Sequence, residues 1–241
     1  GSSLGACQRC PTAAYPCGTI GVRRRGTGVQ WPEVMAQFFQ IHPEDPQPRL
    51  IHRTVDIVRD GGVIVYPTDS SYALGCGIGE KNAMDRIRAI RRVGDKHNFT
   101  LVCRDLSEIT TYAKIDNRDY RMLKTLTPGP YTFLFKATKQ VPRRLQHPKR
   151  KTIGIRVPDN VIAQALLDEL NEPLMSTTMI LPGDDTPFTD PYEIRDILDH
   201  AVDLVIDGGY CGFESTTVLD MTGDSPEVVR EGKGDASLFQ E

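Results

Sequence analysis

The chain has 241 residues, 39% hydrophobic and 25% charged, with a formal net charge of −3. This suits a globular protein of one large domain or two small ones, and no apolar run approaches the ~20 residues of a membrane span. The charge is lopsided, because residues 1–156 hold 26 basic and 13 acidic side chains while 157–241 hold 3 and 19; either a face turned to a polyanion or two mutually attracting halves would explain it.

Residues 1–34 carry Cys7, Cys10, Cys17, the run Arg23-Arg24-Arg25 and many Gly and Pro, without an apolar period. A disordered or non-native tail is expected there, with Met35 as a natural start and one domain over 35–241. No CxxC returns later to complete a tetrahedral zinc set. No apolar segment follows the arginines as a secretory signal would require.

Ile51, Val55 and Val58 recur at helical spacing, predicting a helix that ends near Gly61-Gly62. Val63 to Tyr66 is a β-branched run predicting a strand buried on both faces and halted by Pro67. Thr68, Asp69, Ser70, Ser71 and Tyr72 then fall at its carboxyl end, where open α/β sheets usually bind ligands. A second helix has Ala83, Ile87 and Ile90 as its stripe, with Arg86, Arg88, Arg91 and Arg92 off it. Phe99 to Cys103 reads as a strand. Asp105 and Asp116 are helix caps, and Tyr131 to Lys136 is a strand after Pro128-Gly129-Pro130.

Thr152 to Val157 is a further strand, and Asp159 or Asn160 caps a helix with Val161, Ala165 and Leu166 inward. Leu174 to Thr178 and Val202 to Ile206 read as strands around a helix from Tyr192 to Leu198. Thr216 to Met221 and Val228 to Arg230 finish the sheet. The alternation predicts a single α/β domain. Cys76, Cys103 and Cys211 fall in or beside apolar runs and are expected to be buried thiols of a cytoplasmic protein.

No P-loop, GxGxxG turn, HExxH or GxSxG elbow occurs. What recurs instead is cations and hydroxyls beside strand ends: Arg91 and Arg92, Lys96, Thr152 with Arg156, Ser176 to Thr178, Ser215 to Thr217, and Arg230. Arginine forks and hydroxyls together suit an anionic ligand and catalysis by positioning and charge stabilisation.

The blocks IVYPTDSSYALGC, IRAIRRVGDKHNFTLVCRD, TPGPYTFLFK, VPRRL, KTIGIRVPDNVIAQALL, PLMSTTMILPG, VDLVIDGG, FESTTVLD and VVREGKG, in this order, resemble the YrdC/YciO family from Met35 to the end. The resemblance implies a single-domain twisted, mixed open sheet flanked by helices, with a concave basic face similar to double-stranded RNA binders. Characterised members join L-threonine, bicarbonate and ATP into threonylcarbamoyl-adenylate and release pyrophosphate, for modification of a tRNA adenosine. It implies L-threonine at Ser70, Thr152 and Arg156, with the guanidinium gripping the carboxylate. ATP is implied at Arg91, Thr178, Ser215 and Arg230, as a substrate with or without magnesium, and no tightly bound cofactor or structural metal. The cluster Arg143, Arg144, Lys149, Arg150 and Lys151 suits double-stranded RNA or tRNA.

Two family motifs are altered. Where synthases carry K-x-R-P the chain reads Arg91-Arg92-Val93-Gly94, and where they carry S-x-N it reads Thr178-Met179-Ile180. Losing an ionic phosphate contact costs about 1.5–3 kcal/mol, and a positioned amide somewhat less. These changes resemble the YciO branch and imply a weak synthase, with Arg91, Arg92 or Lys96 supplying the missing cation. The alternative is a paralogue that binds structured RNA or a nucleotide without the adenylate chemistry.

Overall fold

Short β-branched runs punctuated by proline and glycine alternate with amphipathic stretches, and they fold accordingly. The computed structural model describes residues 35–94 and 99–239, so the readings of the 1–34 tail and Lys96 lie outside the described residues. The strands are β1 (Gln37–Gln40), β2 (Ile64–Tyr66), β3 (Ala73–Gly77), β4 (Thr100–Val102), β5 (Tyr131–Lys136), β6 (Thr152–Arg156), β7 (Leu174–Thr178), β8 (Leu204–Asp207), β9 (Thr217–Asp220) and β10 (Glu227–Arg230). The helices are α1 (Pro48–Arg59), α2 (Lys81–Arg91), α3 (Leu106–Tyr112), α4 (Asn117–Leu126), α5 (Val161–Leu170) and α6 (Pro191–Leu198).

All ten strands form one sheet in the order β1-β8-β2-β3-β7-β4-β6-β5-β9-β10. It is mixed: β1–β8, β8–β2, β4–β6 and β5–β9 pair parallel, and the other neighbours antiparallel. Strands from the acidic second half of the chain are threaded among those of the basic first half. Ion pairs follow that weave, with Arg86 to Asp203 at 2.7 Å, Arg150 to Asp220 at 3.2 Å and Arg104 to Asp168 at 3.7 Å. These pairs join the basic half of the chain to the acidic half. No helix among the described residues is long and apolar enough to cross a membrane.

The period-2 alternation of the strands gives the two faces different fates. One face carries Leu74, Cys76, Leu101, Phe133, Ile155 and Met175 into the larger core, against Met84, Ile87 and Ile90 of α2, Leu123 of α4 and Ile194 of α6. On the other face α1 and α5 lie side by side over Ile64, Tyr66, Leu174, Leu204 and Ile206. They cover only the β1-side half. From β7 to β9 the same face presents Ser176, Thr178, Thr100, Gly154, Arg156 and Thr132, and it is open as a cleft. Threonine suits that place because it keeps the branched shape of a strand former while offering water or a ligand a hydroxyl.

Residues 208–216 carry the chain from β8, second in the sheet, to β9, ninth. The segment is fastened as it passes the turn after β2. The Tyr72 hydroxyl donates to the Gly209 carbonyl at 2.7 Å and accepts from the Gly208 amide at 3.3 Å. Gly212 lies so close that a Cβ there would sit 2.8 Å from the Ser70 carbonyl oxygen.

Candidate functional site

The open half-face holds a cleft of about 360 Å³. Its walls come from segments far apart in sequence, including Thr68 and Ser71 after β2, Arg91 from α2, Ser176 to Thr178 and Ile180 from β7, and Ser215, Thr216 and Arg230 from the β9–β10 end. Fully buried Tyr66 closes the side towards α1 and α5. Its hydroxyl donates to Ser176 Oγ at 2.8 Å, which donates in turn to the Leu74 carbonyl at 3.1 Å. Loss of water around the phenol pushes its pKa up to about 12. Tyr66 fits because β3 carries Gly75, where a Cβ would stand 2.8 Å from its ring.

Three guanidinium groups reach the cleft by different routes. α2 ends on Arg92, a non-glycine in the left-handed region at φ 49°, whose amide bonds back to Ala89. That reversal leaves Arg91 as the last helical residue; it donates Nε to the Ile180 carbonyl at 3.1 Å and Nη1 to Thr177 Oγ1. Arg230 reaches back from β10 to the Thr216 carbonyl at 2.9 Å, and Thr216 Oγ1 meets Thr132 Oγ1 at 2.8 Å. Partial burial lowers the pKa of Arg91 and Arg230 from the usual arginine range, and both remain cationic at neutral pH.

The third, Arg156, ends β6 and is 8% exposed. It forms an ion pair with Asp69 through Nη2 and donates Nη1 to Ser70 Oγ at 3.2 Å. Thr68 Oγ1 organises the same turn by accepting from the amides of Ser70 and Ser71, each at 3.2 Å. Arg156 Nε and Asp69 Oδ2 are sealed without a partner among the described residues.

Arg91, Arg156, Thr178, Ser215 and Arg230 are thus brought together, and Ser70 supports Arg156 at the floor. Thr152 is not. It begins β6 opposite Lys136, about 13 Å along the strand from Arg156 at ~3.3 Å per residue, and its carbonyl accepts from the His147 amide at 2.7 Å. Gly154 takes the place facing the cleft, between Thr100 and Thr132. Val93 is not on the cleft wall, whereas Ile180 is.

The five-residue basic cluster lies in the β5–β6 connection, all of it exposed. Arg144 donates to the Gly79 carbonyl and Arg150 pairs with Asp220, which leaves Arg143, Lys149 and Lys151 less committed. Two groups that join this turn are not marked as partners by the sequence, the Asp69 carboxylate and Lys233, whose Nζ donates to the Asp69 carbonyl. The EGKG run was the available signal for Lys233.

The Sua5_yciO_yrdC family model, described as "Telomere recombination", matches residues 56–232. The uncharacterized protein YciO of Escherichia coli K12 is 61% identical over 205 residues, covering 85% of this chain and 100% of its own. The E. coli YciO crystal structure superposes with a TM-score of 0.82. The Pyrococcus abyssi Sua5 structure complexed with L-threonine gives a TM-score of 0.74 at 23% identity, covering 81% of this chain and 57% of the other, a likeness of fold.

Proposed function

The chain belongs to the Sua5/YciO/YrdC family, and from that premise we propose that the cleft binds L-threonine and ATP and forms threonylcarbamoyl-adenylate slowly, using bicarbonate. The observation that carries this reading is the convergence of Arg91, Arg156, Thr178, Ser215 and Arg230 from five separate segments on one cleft.

The chemistry fits the donors available. Threonine's amine and bicarbonate give a carbamate with loss of water; a carbamate oxygen attacks the α-phosphorus of ATP, and the bond to the β-phosphate oxygen breaks to release pyrophosphate. The burden on the protein is to align two anions and offset their repulsion. In this reading Arg91 and Arg230, held by Ile180, Thr177 and Thr216, face phosphate oxygens. In the same reading the threonine hydroxyl meets the turn after β2, where Thr68 lines the cleft and buried Ser70 lies behind it. Ile180 gives this wall an apolar side chain where synthases offer an amide, which accounts for a slow rate.

The test is pyrophosphate release that requires both threonine and bicarbonate. Ile180→Asn should raise turnover by about tenfold, the scale of one recovered hydrogen bond. Hydrolysis of ATP indifferent to threonine, with no gain from the substitution, sinks the synthase reading.

The exposed basic residues of the β5–β6 connection favour a second reading. Structured RNA would bind across Arg143, Lys149 and Lys151 through phosphate contacts, with the cleft as an accessory nucleotide site.

A further inference from the structure

Two cations of unequal freedom approach the Asp69–Ser70 turn. Arg156 is nearly sealed, its Nη2 held by the Asp69 carboxylate, its Nη1 on Ser70 Oγ at 3.2 Å, and its Nε enclosed. A carboxylate ligand seeking the guanidinium's parallel pair of N–H bonds meets a fork already occupied by a carboxylate of the chain. Displacing Asp69 would strand a buried anion, a loss that one new contact does not offset.

Lys233, by contrast, is exposed. It uses one of its three N–H groups on the Asp69 carbonyl, the peptide that leads into Ser70. Its backbone is not loose. The Lys233 amide donates to the Ser215 carbonyl at 2.9 Å, the Gly232 amide to Thr217 Oγ1 at 3.0 Å, and Thr217 Oγ1 to the Gly234 carbonyl at 2.6 Å. Gly232 permits the approach, since a Cβ there would stand 2.2 Å from the Ser215 carbonyl oxygen. An ammonium with donors to spare is therefore fixed beside the hydroxyl turn and next to cleft-lining Ser215.

Resting on the amino-acid reading of this cleft, we propose that Lys233 is the residue that binds the carboxylate of the amino-acid ligand. Arg156, committed to Asp69 and Ser70, holds the floor of the site. Sequence resemblance assigns the carboxylate to Arg156, and the two assignments predict different variants to fail.

The experiment is calorimetric titration of the full chain with L-threonine, with L-threoninol, which has an alcohol in place of the carboxylate, and with ATP. Lys233→Met should weaken L-threonine about tenfold or more, the scale of a charge-assisted hydrogen bond. L-threoninol should change by less than twofold, and Lys233→Arg, which keeps the charge, should recover most of the loss. Unchanged L-threonine affinity in Lys233→Met overturns the proposal and leaves the amino-acid reading standing. Equal losses for both ligands, or no recovery with arginine, also overturn it, because Lys233 then only fastens the loop. A wild-type chain that binds ATP but neither amino-acid compound overturns the amino-acid reading itself, and this assignment with it.

Discussion

Asp69 and Arg156 face each other where water scarcely reaches, at 8% and 9% side-chain exposure. A pair so placed adds little relative to an apolar pair, but loss of one partner leaves a charge stranded. Asp69→Ala should therefore lower stability by about 3–5 kcal/mol, read from the urea midpoint, and a change below 1 kcal/mol would contradict the burial described. The thiols behave in the opposite sense. Burial pushes Cys76 up to about 12 and Cys211 to about 11, and raises Cys103 well above the ordinary 9.0. The unfolded chain releases these protons near pH 9 while the folded chain keeps them, so their stabilising effect is complete below pH 9 and is lost as pH rises through the folded values. The expected slope is about 1.4 kcal/mol per pH unit for each thiol, measured as urea midpoints from pH 8 to 11. Peptide mapping after iodoacetamide at pH 8 should find the three unlabelled in the native protein. The core thiols were legible from their apolar neighbours. The Asp69–Arg156 pairing was not, because 87 positions separate the partners and nothing local in PTDSS tells a carboxylate that meets a cation from one that meets water.

Strands bounded by proline, glycine and charge were readable to the residue, as with β5 at Tyr131–Lys136 and β7 at Leu174–Thr178. α5 was readable as an element, and Asn160, one of the two caps expected, accepts from the Ala163 amide at 3.0 Å; Val161, expected inward, is exposed instead, because the buried stripe runs through Ile162, Ala163, Leu166 and Leu167. β3 was not readable. Ala73–Gly77 contains two glycines, which locally argue for a loop, and only the tertiary fact that Tyr66 occupies the space over Gly75 makes a glycine strand stable. β1 was missed for a different reason: Gln37–Gln40 is four residues long at the sheet edge, too short for alternation to show. The β9–β10 end gives an element-scale prediction. Gly232→Ala must part the 230–234 segment from Ser215, costing about 1–3 kcal/mol as overpacking does. It should also weaken ATP and threonine together, because Arg230 and Lys233 flank it; unchanged melting temperature and affinities would refute the close contact.

Across the whole molecule, ion pairs such as Arg86–Asp203 and Arg104–Asp168 join the basic and acidic halves, and the β5–β6 connection keeps five exposed basic residues close together. If it binds RNA, affinity for a duplex of about 20 base pairs should fall steeply with salt, by roughly 0.9 in logarithmic slope per phosphate met. Replacing Arg143, Lys149 and Lys151 with alanine should flatten that slope by two or more. An Arg150→Ala change should do less, since Arg150 is engaged by Asp220; equal effects would count against this arrangement. The link from β8 to β9 bears on shape at the same scale. Seven inter-strand gaps lie between those strands, about 34 Å if the sheet were flat, and ten steps of chain from Asp207 to Thr217 reach about 36 Å at full stretch. The link is not at full stretch, for it turns at Gly209 with φ +85° and is pinned beside Ser70. It therefore works as a tether: the two flanks of the sheet are tied across the intervening strands by a loop that contributes no strand of its own, with little chain to spare.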